Sequence, residues 1–168
     1  MSDATTTDPT LDRMLRHMAW ANAKLIEWLG TLSDADLGAT APQNEWSAAR
    51  ILDHLVNAAG GYATRLDGAA RLTAPEPLTS VSQLAERAAR VAGYDARLRA
   101  HGALPEGRAA YAGDDRTFAR STVLAQAIHH ATEHRAQIAG ALATNGINVI
   151  DLDALDLWEY GQAEGLGD

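Results

Sequence analysis

Between Leu11 and Leu32 the apolar residues Leu11, Met14, Leu15, Met18, Leu25, Leu29 and Leu32 keep helical spacing along one face. Asp8 before Pro9 reads as an N-cap with proline in the first turn. One polar residue interrupts the stripe: Asn22 shares its face with Leu15, Met18, Leu25 and Leu29. An asparagine buried there needs partners, because an unsatisfied polar group costs about 1–3 kcal/mol.

The same period returns three more times. GATAPQNEWS reads as a loop ending in Ser47, a natural N-cap. The helix after it has Ile51, Leu52, Leu55, Val56, Ala59, Tyr62 and Leu66 as its apolar side, with His54 at the border of that stripe. Beyond the linker LTAPEPLTS, Ser80 and Gln83 form a capping-box pattern. It opens a third helix carrying Val81, Leu84, Ala88, Val91 and Leu98 and stopping at His101-Gly102. RAAYAGDDRTFARS alternates around Gly113-Asp114, as either a short hairpin or an ordered loop. Ser121 is the expected cap of a fourth helix, lined by Leu124, Ala127, Ile128, Ala131, Ile138 and Leu142 and ending at Asn145-Gly146. LDALDLWEYGQAEG closes the chain as a short extra helix. Four long amphipathic segments with returning connections predict an all-α protein, a four-helix bundle. We expect one domain over residues 1–168, with a flexible N-terminus at 1–9.

Composition narrows the chemistry. The chain has no cysteine, so a thiolate nucleophile, a disulfide and a Cys-bearing zinc site are excluded. A net charge of −8 argues against a nucleic-acid partner held through phosphates. No apolar run approaches membrane-spanning length, and MSDATTTDPT lacks a basic or apolar leader. The expected location is cytoplasmic.

Three of the six histidines fall between His129 and His134. Residues four apart share a helix face, so His130 and His134 point the same way, flanked by Gln126 and Gln137, while His129 points elsewhere. Two such imidazoles can bind one divalent metal if another helix supplies a third ligand. His54 is the best candidate and His17 a weaker one, and His101, beside a helix-ending glycine, is expected in solvent. A His-x-x-x-His pair taken alone is more often solvated or structural. HATEH also fits the inverted zincin motif, with Glu133 as base, but that motif needs a distant carboxylate in a much larger enzyme, and only 34 residues follow His134. Arg135 falls on the apolar line between Ala131 and Ile138. A buried arginine needs partners, Asn22 or an anionic ligand among them.

WAN at Trp20–Asn22, NEWSAARILDHLVNA, HHATEHRAQIAGALATNG and LDLWEYGQAEG together resemble the DinB-like (YfiT-like) metalloenzymes, also called damage-inducible proteins. The resemblance covers nearly the whole chain. It implies an up-down-down-up four-helix bundle, homodimers in many members, and His54, His130 and His134 as ligands of zinc or nickel. It also implies transfer or isomerisation with low-molecular-weight thiols such as mycothiol, bacillithiol or glutathione. Two positions depart from the family pattern: Glu133 stands where a histidine is frequent and Ala136 where a glycine is frequent. The function expected is that of a metal-dependent thiol S-transferase or isomerase, with Arg135 and Gln137 as candidates for positioning substrate. The alternatives are a metal-water hydrolase and a non-catalytic metal-binding stress protein. Trp28 and Trp158 fit either a dimer interface or the core.

Overall fold

The computed structural model describes residues 8–166, and the flexible stretch expected at the N-terminus lies outside these as far as residue 7. Its last two residues are ordered into the first helix. Asp8 Oδ1 accepts from the amides of Thr10 and Leu11, at 2.8 and 3.4 Å, and Pro9 opens α1, Pro9–Leu29. Ser47 Oγ accepts from Arg50 N at 3.2 Å and caps α2, Ala48–Leu66. The Ser80–Gln83 capping box closes on a short 3-10 turn that feeds α3, Leu84–Gly102.

The fourth long helix, α4, Arg120–Thr144, starts differently from expectation. Ala119 is its N-cap and offers no side chain; Ser121 lies inside the helix. Glu106 takes over the role from the preceding loop, accepting from the amides of Gly107 and Ser121 at 2.8 and 3.3 Å. Hydrogen bonding, first from the Ser121 hydroxyl, holds the Glu106 carboxyl down at about 2. At the other end Asn145 is the C-cap and Gly146 turns at φ +77, as the sequence predicts. A short α5, Leu157–Ala163, follows a 3-10 turn at Asp153–Leu155.

Two small ladders complete the fold. β1, Thr40–Ala41, pairs antiparallel with β2, Asn44–Ser47, inside the segment read as a plain loop. β3, Arg108–Ala109, pairs with β4, Phe118–Ala119, so the stretch around Gly113 is a hairpin of minimal length. The protein is thus mostly helical, with α1 packed on α3 and α2 on both α3 and α4. No helix among the described residues is long and apolar enough to cross a membrane.

The apolar stripes meet in two clusters. One gathers Leu25, Leu29, Ile51, Leu52, Leu55, Ile138 and Leu142, the other Leu15, Met18, Leu98, Leu124 and Ala127. Trp28 is half-buried, while Trp158 stays 80% exposed on α5. Between the helices runs a chain of buried polar groups. Arg135 Nη1 donates to Asn22 Oδ1 at 2.8 Å, and Asn22 Nδ2 donates to Asp95 Oδ2 at 3.0 Å. All three residues are at most 4% exposed. They tie α4 to α1 and α1 to α3.

Burial pushes the Asp95 carboxyl up to about 6, against the Asn22 hydrogen bond and the Arg135 charge, and lowers the Arg135 guanidinium to about 10. Between the ordinary 3.8 and about 6 the native state therefore keeps a proton that the unfolded chain releases. Stability falls as pH rises through that window and levels off above it. In metal-free protein, the unfolding free energy of wild type minus that of Asp95→Asn should drop by about 3 kcal/mol across it. Urea titrations at a series of pH values check this; a flat difference contradicts it.

Candidate metal centre

His54 projects from the middle of α2, and His130 and His134 from successive turns of α4. Helix packing brings the three imidazoles to one point. His130 Nε2 lies 3.1 Å from His54 Nε2 and 2.9 Å from His134 Nε2, and the three ligand atoms fall within 4.8 Å of one another. The His134 ring stands nearly perpendicular to the other two, at 86° to His54 and 77° to His130. Nitrogens sharing a tetrahedral ion at about 2.0–2.1 Å stand about 3.3 Å apart, so the two separations from His130, 3.1 and 2.9 Å, are a few tenths of an ångström tighter than a loaded site needs, and the third falls within 4.8 Å.

Hydrogen bonding among the rings cannot account for this arrangement well. A single ring nitrogen either donates or accepts. His130 Nε2 therefore cannot bridge two neighbouring nitrogens with two linear bonds. A cation at the centre satisfies all three lone pairs at once, so the residues present fit a divalent metal. Imidazole ligation alone suits zinc, nickel, iron and copper.

The surroundings favour the ligating form of His54 and His130. Burial first, then the neighbouring imidazoles, hold His130 down at about 4. His54 is lowered by burial, by His134 and by Arg50. Neutral imidazole is what a metal takes. His134 Nδ1–H donates to Gln137 Oε1 at 2.7 Å, which leaves the lone pair on Nε2. Gln137→Leu should therefore weaken metal binding by about 10–100-fold with the fold intact, measured by chelator competition.

His54 and His134 also line an open pocket of about 560 Å³, walled by Ala41, Gln43, Trp46, Gln137 and Gly140. The β1–β2 ladder supplies much of this wall: Trp46 packs against His54 with ring centroids 5.0 Å apart. His130 sits behind, against a void of about 10 Å³ shared with Tyr62, Asn22 and Asp95, room for about one water. A larger groove of about 790 Å³ between α1 and α4 is lined by Leu11, Met14 and Ile128 and holds no such cluster among the described residues, so size alone does not select the site.

The structure separates the remaining expectations. Of the two positioning candidates, Gln137 lines the pocket, whereas Arg135 turns into the core towards Asn22 and Thr132. Glu133 is exposed and faces His129 at 3.5 Å, outside the trio, which removes the base of the inverted zincin pattern. His17 bonds the carbonyl of Leu155 at 2.7 Å. His101 is largely covered, with a 14% exposed side chain, and meets Asp67 Oδ1 at 2.6 Å. Two buried groups were not anticipated. Asp95 falls on the stripe of Ala88, Val91 and Leu98 just as Asn22 does on its own, so the same rule finds it. Arg87, 1% exposed, donates from Nε to Asp53 Oδ1 at 2.8 Å and clamps α3 to the residue before His54.

Comparison with known proteins follows the same lines. A solved DinB-like protein from Bacillus cereus ATCC 10987 shares the fold at a TM-score of 0.58, with 19% identity, over 81% of this chain and 91% of the other. A search of curated proteins found no match. The sequence model of the DinB family matches from residue 1 to residue 164, and on that extent the chain belongs to the DinB family.

Proposed function

We propose that this protein holds one divalent cation, zinc or nickel, on His54, His130 and His134, and transfers or isomerises small molecules with a low-molecular-weight thiol as cosubstrate. The observation that carries this reading is the open pocket lying directly against two of the three histidines. Three protein ligands and an accessible fourth side are the layout of a catalytic site; a structural site would be closed by a fourth protein ligand. When bound, the cation lowers the proton affinity of a thiol or water entering from that side.

The chain's own residues divide the remaining work. Burial favours the neutral form of His54 and His130, Gln137 fixes the His134 tautomer, and Trp46 packs against the His54 ring. With no cysteine in the sequence, a nucleophilic sulfur has to come from a second substrate. Hydrolysis by activated water is the less favoured chemistry, since among the described residues no carboxylate lines the pocket beside the trio to serve as base.

The test is an assay of metal-loaded protein with mycothiol, bacillithiol or glutathione and chlorodinitrobenzene. The thiol sulfur forms the S–C bond, chloride leaves as the C–Cl bond breaks, and the thiol proton goes to solvent. A rate well above both metal-free protein and His134→Ala supports the reading. Equal rates in all three, with each thiol, overturn it.

A further inference from the structure

The two histidines of α4 are supported unequally. His134 Nδ1–H donates to Gln137, whereas no hydrogen bond reaches His130 Nδ1 among the described residues. A ligating imidazole almost always gives its other N–H to a carboxylate, a carbonyl or a water, which fixes the tautomer and the ring orientation. His130 Nε2 is spent on the trio, so the donor to be matched is Nδ1–H.

His130 lines the void of about 10 Å³, and so does Asp95. Asp95 is 2% exposed; its Oδ2 accepts from Asn22, and its Oδ1 has no partner among the described residues. Above about 6 this carboxyl is ionised, and Oδ1 can only accept. The other polar groups around the void are already engaged. The Asn22 amide is used at both ends, by Arg135 and by Asp95, and the Tyr62 hydroxyl pairs with Gln126. The rest of the lining is apolar, with Met18, Leu55 and Leu98 in it. One donor and one acceptor are thus left over, and they share a space the size of a single water. A water held in such a site needs at least two polar partners. This one accepts from the imidazole and donates to the carboxylate, nearly as good a link as a direct bond.

Resting on the metal-site reading above, we infer that one buried water joins His130 Nδ1–H to Asp95 Oδ1, so that a carboxylate on α3 orients a metal ligand on α4. Asp95 is then a positioning residue, acting only through the His130 ring. The polar chain from Arg135 through Asn22 to Asp95 thereby returns to α4 at the ligand itself.

The test compares zinc-loaded wild type with Asp95→Asn, both carrying isotope-labelled histidine, by long-range proton–nitrogen correlation at neutral pH. The new amide keeps the bond from Asn22 on its oxygen and turns its NH2 to the void, a donor where the carboxylate accepted. The His130 N–H, recognised by its contact with the Tyr62 ring, should move upfield and exchange faster with solvent in the variant. The His134 N–H, held by Gln137, should stay in place. Zinc affinity, from chelator competition, should fall by about tenfold or more. A His130 N–H unmoved by the substitution, or an unchanged zinc affinity, overturns the inference and leaves the metal site standing. Signals of His130 and His134 that shift together show that Asp95 only holds the helices against one another, which overturns it as well. Protein that binds no zinc overturns the metal reading and this inference with it.

Discussion

Alanine at His54 or His134 is expected to empty the site: mass spectrometry of untagged protein should find about one zinc or nickel per chain in wild type and almost none in either variant. Loss of an outer partner of a ligating histidine alone costs about 10–100-fold in affinity, so loss of the ligand itself should exceed that. The two variants remove different things. Without His54, only His130 and His134 of a single helix remain. Without His134, the ring that Gln137 orients is gone. Circular dichroism and thermal unfolding should show both variants folded, which keeps them comparable with wild type. His129→Ala is the control, since that exposed ring faces Glu133 and should retain the metal. A second reading comes from heat: metal should raise the Tm of wild type by mass action and leave the alanine variants unmoved. Wild type that takes up neither zinc nor nickel on titration would reduce the trio to three packed imidazoles.

The parts of this protein that obey one helical period are legible in its sequence. An α-helix maps residues four apart onto one face, so spacing alone pairs His130 with His134, and His54 stands out as the only other histidine at a stripe border in mid-helix. Asn22 and Arg135 announce themselves as polar interruptions of apolar lines, and they bond each other. What escapes the pattern is held by contacts distant in sequence. The β1–β2 ladder has only two register pairs, too short to show alternation, yet it carries Trp46 to the pocket. The α4 start departs from expectation because its capping carboxylate, Glu106, lies 15 residues before the amide it serves. His101 reads as solvent-facing beside its glycine because its partner, Asp67, belongs to another segment. Local pattern finds faces; it does not find what the faces meet.

Asn22→Leu should be strongly destabilising, although leucine suits the surrounding apolar stripe. Asn22 is 1% exposed and uses both ends of its amide, accepting from Arg135 and donating to Asp95. Leucine fills the volume and breaks both bonds, stranding a carboxylate in the interior and leaving the guanidinium held only by Thr132. Breaking a buried charged network in this way costs about 3–5 kcal/mol. For a domain of this size that corresponds to a Tm lower by about 6–20 °C. Asp95 is already short of partners, since its Oδ1 has none among the described residues, so there is little slack to absorb the loss. The companion variant replaces the whole chain of groups, Asn22→Leu with Asp95→Leu and Arg135→Met. It should recover most of the stability, because an apolar set of similar volume is often as stable as a buried ionic one. Thermal unfolding of the two variants decides the matter. A loss below about 1 kcal/mol in the single variant would mean that water already reaches these groups. Arg135 is the residue after His134, and Asp95 shares a void with His130. If the network also holds α4 in register against α1 and α3, the triple variant should be stable yet bind metal more weakly than wild type. That separation would identify a buried polar chain kept for the geometry of the histidines at no gain in stability.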